Sequence, residues 1–313
     1  MKKHDREYIQ KRIEFSKALT AKIFPKIAVY EKLRVKYLII VVLVTLLCLA
    51  ASGYVLYIYW GIDSDLIQVA GLFFIVPFIL YSILKHNLAD KFNRVVMRNL
   101  CSIFGDLKWK KNNKNSNDIL YEKALVIPHY DESEHDDYFY GNYKNVEIII
   151  DESTYQRRYR DSRGRTRYET IFQGLVIQYS FNKKFQSHTV VKNDALFHIS
   201  PAAYLRHTKL EDVVFEKKYD VFTNDEIDAR YILTTAFMER LNNLSVSFKN
   251  SKMICSFYDN ALIISFDTRK DMFAMGSLFK SVLNVEQYYI IFDEFYSILR
   301  IVDVLNLDTN VCL

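Results

Sequence analysis

The sequence predicts an α-helical transmembrane hairpin followed by an α+β domain, an antiparallel sheet with C-terminal helices. Three observations predict it. Two long runs near the start, 37–60 and 66–84, carry no charge. Segments between 145 and 222 are short and rich in Val, Ile, Tyr, Phe and Thr, the composition of strands. Toward the end, apolar residues return at three- and four-residue steps, the spacing of helices.

Residues 1–36 come first. Ile9, Ile13, Leu19 and Ile23 recur at helical spacing on a charged background, which predicts a cytoplasmic helix ending near Pro25. The run 37–60 is then long enough to cross ~30 Å of hydrocarbon at 1.5 Å per residue, and so is 66–84. Only Gly61, Ile62, Asp63, Ser64 and Asp65 separate them, a link that suits a turn between antiparallel helices. Tyr37, Tyr54, Tyr57, Trp60 and Tyr81 lie toward the ends of the runs, as in an aromatic belt. A signal peptide is not expected, because 36 polar residues precede the first run, which therefore reads as a retained anchor.

Lysine and arginine set the orientation. Residues 1–36 hold eleven, residues 85–114 hold eight and the link holds none, so both termini are expected in the cytoplasm, as in a multi-pass protein. Residues 85–115 read as an amphipathic connecting helix and linker, with Leu88, Phe92, Val96 and Leu100 on one stripe. "KWKKNNKNSND" then breaks the periodicity and opens the domain 116–313. From 115 onward 23 basic residues face 29 acidic ones, so this part is not a basic nucleic-acid domain.

Within that domain strands are expected at 145–150, 166–181, 187–192 and 213–222. A capping box, Thr223 to Glu226, should start a helix running to about Asn243, with a break near Thr235. "KMICSF" and "ALIISF" flank Tyr258-Asp259-Asn260 as a hairpin. Helical stretches over 270–283 and 286–306 finish the chain.

The four cysteines are sparse and include no CxxC pair, so neither a zinc ribbon nor a disulfide framework is implied. With eight glycines, the chain offers no phosphate-cradling loop, nucleophile elbow or kinase signature. Neither a cofactor nor a metal is expected. "PHYDESEHDDY", 128–138, concentrates acids and histidines but matches neither a calcium loop nor an HExxH helix, and it is expected to be a solvated acidic loop. His188, His198 and His207 stand singly and are expected to be structural.

The sharpest feature is "YQRRYRDSRGRTRYET", 155–170. Arg157, Arg158, Arg160, Arg163, Arg165 and Arg167 crowd into eleven positions around Asp161-Ser162-Arg163-Gly164, a sequence of turn composition. A β-hairpin with arginines at its tip follows, legs 155–160 and 165–172. A charged tip protects strand edges, and it also suits an anion, since guanidinium binds phosphate through a planar fork. The expected partners are the membrane, an anionic lipid surface or a protein; nucleic acid is not expected, because no aromatic RNA-binding motif accompanies the patch. A small-residue patch, Ala50-Ala51-Ser52-Gly53, would let helices of a homo-oligomer approach.

Read in order, the two apolar runs, "RYETIFQGLVIQYSF", "FEKKYDVFTNDEIDARYILTTAFMERL" and "IVDVLNL" resemble an uncharacterised family of bacterial two-span membrane proteins, domain of unknown function 3137. The resemblance implies a bacterial inner-membrane location and brings no activity, substrate or catalytic residue. The expected function is therefore a membrane-anchored, non-catalytic binding domain. The alternative is a tethered, hydrolase-like enzyme using Asp225, Asp228 and Arg230 at the start of the capped helix, where two carboxylates and a guanidinium could share one site.

Overall fold

A computed structural model describes residues 3–58, 73, 75–113, 117–180, 185–193, 202–248, 252–273 and 277–305. The chain folds as two compact units, Met1–Ile103 with Ala274–Phe292, and Phe104–Phe273 with Asp293–Leu313.

The first unit is helical. Helix α1 (Lys3–Ala18) runs through a π-helical turn (Leu19–Ile23) into α2 (Phe24–Ile58). The helix thus does not end near Pro25. Proline removes one backbone donor and crowds the carbonyl four residues before it, and the widened turn just upstream makes room for that crowding. Phe15, Leu19, Ile23 and Ile27 bury one stripe, with Phe15 stacked on Phe292 at 5.0 Å. Glu31 pairs with Arg34 at 2.7 Å and accepts the Val282 N–H at 2.9 Å.

Farther along α2 the pattern inverts. Ile39, Leu43, Leu46 and Leu47 are all exposed. This continuous helix, counted from Arg6 to Ile58, is long and apolar enough to cross a membrane, and only 11% of its most apolar window is buried within the protein. A second crossing is not shown, because most of 66–74 lies outside the described residues. Helix α3 (Ile75–Cys101) packs on α2 and buries Leu88, Phe92, Val96 and Leu100, the stripe its spacing predicts.

The second unit is built on one sheet. Its strands are β1 (Lys108–Lys111), β2 (Glu132–Tyr143), β3 (Val146–Arg160), β4 (Thr166–Ser180), β5 (Thr189–Asn193), β6 (Arg206–Thr208), β7 (Tyr219–Thr223), β8 (Lys252–Tyr258) and β9 (Ala261–Asp267). They lie in the order β1-β2-β3-β4-β9-β8-β5-β7-β6, and every recorded pairing is antiparallel. One face packs on a short helix, α4 (Asp118–Lys123), and the segment after it, around Tyr121, Val126, Tyr155, Val176 and Ile263. On the other, Phe237 of α7 (Thr235–Ser247) meets Phe257, Phe248 just after that helix stacks on Phe266, and Phe295 from the later half of α8 (Val285–Leu305) packs against Phe139 at 4.8 Å.

Several boundaries differ from the sequence expectation. Residues 213–216 form a helical turn, α5 (Val213–Glu216), capped by Asp212, so only 219–222 of the expected strand 213–222 is extended. The next helix, α6 (Glu226–Ile232), is capped by Asp225, whose carboxylate accepts two first-turn amides, and not by Thr223. It breaks at Leu233, and Thr234 caps α7. Among the described residues, 270–283 forms turns and no helix. The segment 128–138 is not a loop: from Glu132 onward it is strand β2, with His135 and Asp137 buried.

Candidate functional site

The two longest strands, β3 and β4, outrun the sheet. β2 accompanies β3 only as far as Glu132 opposite Gln156, and β9 joins β4 only from Gly174. Beyond those limits, among the described strands, Arg157–Arg160 and Thr166–Glu169 pair only with each other, forming a two-stranded ribbon about 14 Å long at ~3.4 Å per residue. Its tip closes with the Gly164 N–H on the Asp161 carbonyl at 2.8 Å, and Gly164 has φ +72°, which glycine adopts without strain. The Asp161 carboxylate accepts the Arg163 and Arg165 amides at 2.9 Å each, and these bonds keep it below the usual carboxylate range.

All six arginines singled out by the sequence are exposed. Arg165 and Arg167 share Asp161 at 3.2 and 3.4 Å. Arg157, Arg158, Arg160 and Arg163 form no ion pair among the described residues. Each cross-strand pair points to one face, and successive pairs alternate. Arg157 opposite Glu169 and Tyr159 opposite Arg167 share one face; Arg158 opposite Tyr168 and Arg160 opposite Thr166 share the other.

The root of the ribbon is the opposite in character. The register slips there, with Tyr155 opposite Phe172 but Gln156 opposite Thr170, so Ile171 is an extra residue in a bulge. Arg269 clamps the bulge: its guanidinium donates to the Thr170 and Ile171 carbonyls at 2.9 and 3.2 Å and pairs with Asp267 at 3.0 Å. Gly174 stands where β4 first meets β9, and a Cβ there would lie 2.0 Å from the Phe266 carbonyl oxygen. Asp131 holds the outer edge, accepting the Arg158 N–H at 2.7 Å.

Beneath this lies a buried polar cluster that the sequence did not reveal. His135 bridges two carboxylates, its Nε2 3.1 Å from Asp118 and its Nδ1 3.0 Å from Asp151. Asp118 also accepts from the Tyr155 hydroxyl at 2.7 Å, Ser133 at 2.9 Å and Tyr130 at 3.3 Å. Burial by itself would depress the imidazolium, but the hydrogen bonds and charges of Asp118 and Asp151 outweigh it and lift His135 to about 10. Burial raises Asp151, and His135 pulls it back. Both ring N–H groups are therefore engaged at neutral pH. Asp118, His135 and Asp151 also place one ligand atom each within 4.8 Å of one another, so these residues could hold a metal if it displaced the ring protons.

A second bulge aims these groups. Between His135 opposite Ser153 and Tyr138 opposite Asp151, β2 spends two residues, Asp136 and Asp137, against one, Glu152. That extra residue sends Asp137 to the face of Glu152 and Phe139, away from His135. Burial and the neighbouring Asp136 raise Asp137 to about 7, opposed by the Trp109 indole N–H at 2.6 Å. Glu152 is raised by burial and by Asp271, and it accepts the Met272 N–H at 2.5 Å. Lys111 offsets this only in part, and one oxygen of each carboxylate is buried without a hydrogen-bond partner among the described residues.

The other sequence candidates do not converge. Asp225 is spent on capping α6. Asp228 accepts the Ser187 N–H and hydroxyl, and Arg230 donates to the Lys209 carbonyl and approaches Glu211 at 3.6 Å. His188 is buried and depressed by burial, held between Tyr204 and Ser256. His207 lies 3.3 Å from Asp220, and His198 is outside the described residues.

Fold and site together define an α+β module with a long apolar helix, an antiparallel sheet of nine strands among the described residues and a cationic ribbon rooted in it. Residues 170–307 match the family model described as "Protein of unknown function (DUF3137)", the family the sequence resembles. The matched stretch begins within β4, so His135, its two carboxylates and all six ribbon arginines precede it. A solved structure, "crystal structure of the mycobacterial trehalose monomycolate transport factor A, TtfA", shares 9% identity over 68% of this chain and 95% of that one, with a TM-score of 0.37, too low to transfer fold or function. No curated relative matches the chain.

Proposed function

We propose that the chain is a membrane-anchored, non-catalytic binding module whose Arg157–Arg167 ribbon contacts an anionic lipid surface. The supporting observation is the ribbon itself: six exposed arginines on a projection that belongs to no other part of the sheet, four of them without an ion pair among the described residues. Exposed charges of this kind add little to folding, so their concentration asks for a partner. The fork of arginine fits phosphate, and basic residues near an anionic leaflet contribute ~1 kcal/mol each. In this reading the runs 37–60 and 66–84 cross a bacterial inner membrane as a hairpin, with both termini on the cytoplasmic side where lysine and arginine accumulate.

The test holds the full chain in neutral phosphatidylcholine nanodiscs and adds sucrose-loaded vesicles of phosphatidylglycerol and phosphatidylcholine at low ionic strength. Wild-type protein should sediment with the charged vesicles and stay behind with pure phosphatidylcholine ones. Replacing the six arginines with glutamine should abolish sedimentation. Wild-type protein that ignores charged vesicles but is captured by an acidic protein would refute the lipid reading.

A further inference from the structure

We infer, building on that reading, that the ribbon enters the lipid headgroup layer tip-first, with both of its faces binding phosphate, and does not lie flat on one face. The register carries the argument. From the turn toward the root, the four cross-strand pairs present one arginine each: Arg160, then Arg167, Arg158 and Arg157. They alternate sides, so no face is free of cations and no face holds more than two of the four. A ribbon lying flat would leave half of them turned from the lipid, whereas one entering along its axis is surrounded by headgroups.

The aromatics follow the same plan. Tyr159 and Tyr168 project from opposite faces at the second and third pairs, and each is about half exposed, 47% and 46%. The interfacial layer outside the hydrocarbon is about 5–7 Å deep on each side, room for the turn and the first pair at ~3.4 Å per residue. That depth takes in Arg163, Arg165 and Arg160 and holds Arg167 and Tyr159 at its outer edge, where tyrosine rings settle.

The body of the domain argues against flat docking. Asp131, Glu132 and Glu134 are exposed beside the root, and the chain beyond position 115 is acidic overall. Lying flat would press those carboxylates onto an anionic surface. Standing on its tip, the ribbon keeps them outside the headgroup layer, at the level of the third pair and beyond, where Asp131 accepts the Arg158 N–H. The same acidity disfavours nucleic acid, and the apolar helix places the protein in a setting where lipid phosphate abounds.

The experiment compares two double variants in the nanodisc sedimentation assay, R157Q/R167Q on one face and R158Q/R160Q on the other. All four side chains are exposed, and thermal melts of both variants should match wild type. Losing one arginine at the lipid should weaken binding about fivefold, and each pair removes one near the tip and one nearer the root, so each should lose between about fivefold and 30-fold, and the two losses should be alike. Loss confined to one pair would overturn tip-first entry and indicate flat docking. Wild-type protein that binds duplex DNA or RNA in preference to charged vesicles would overturn the lipid partner. Failure of wild type to bind charged vesicles at all would instead remove the parent reading.

Discussion

Strands β3 and β4 pass through two regions that could hardly differ more. At the root, Tyr155, Asp118, His135 and Asp151 are buried and bonded to one another. A few residues further along the same strands, Arg157 to Arg160 and Arg163 to Arg167 stand in solvent. The contrast separates two uses of charge. Buried charges must be answered by opposite charges and hydrogen bonds, and once answered they fix geometry. Exposed charges fix nothing and are free to meet a partner. A two-stranded ribbon is only marginally stable alone, so a rigid root decides where its arginines point.

Breaking the root should produce the largest effect. His135→Ala leaves two buried carboxylates without their cation and should cost on the order of 3–5 kcal/mol in chemical denaturation. Because the folded value of His135, about 10, stands above the ordinary imidazole value, its contribution is complete below about pH 6.5 and is lost as pH rises through 10. A His135→Gln variant should therefore show a flatter stability profile between those limits.

Asp137 offers the next test, with the opposite sign on substitution. Its folded value of about 7 lies above the ordinary 3.8, so ionising it costs stability as pH climbs from 4 through 7. Asp137→Asn keeps an oxygen for Trp109 and removes that cost; thermal melts at pH 8 should show stabilisation on the order of 2–4 kcal/mol, absent at pH 4. Tyr155→Phe, which deletes one donor to Asp118, should cost about 1–2 kcal/mol. Smallest of all, changing the six ribbon arginines to glutamine should leave stability within about 0.5 kcal/mol of wild type.

The contrast also explains what could be read from residues alone. Turn chemistry around Asp161 and Gly164 is local, so the arginine hairpin was visible, as was the one at Asp259. The stripe on α3 was visible because helical period needs no knowledge of partners. The buried cluster was hidden because its members come from 118, 135 and 151 and make sense only together. The bulge at Asp136 and Asp137 compounds this, since an extra residue shifts the phase of alternation and makes a buried strand look like an acidic loop. A faint signal did exist: Asp151-Glu152-Ser153 sits between the Ile148–Ile150 run and Tyr155 with no glycine or proline to end the strand. Uninterrupted strand around charged residues points to buried partners. Pro25 misled in the other direction, since a π turn absorbed what a regular helix could not.

Hydrogen exchange along β3 in the nanodisc-held protein tests the separation of root from ribbon most directly. The account predicts that peptides covering Ile148–Tyr155 stay protected for hours, that those covering Arg157–Arg160 exchange far faster, and that charged vesicles slow only the latter. Uniform protection along the whole strand, or a root that exchanges as fast as the ribbon, would contradict it.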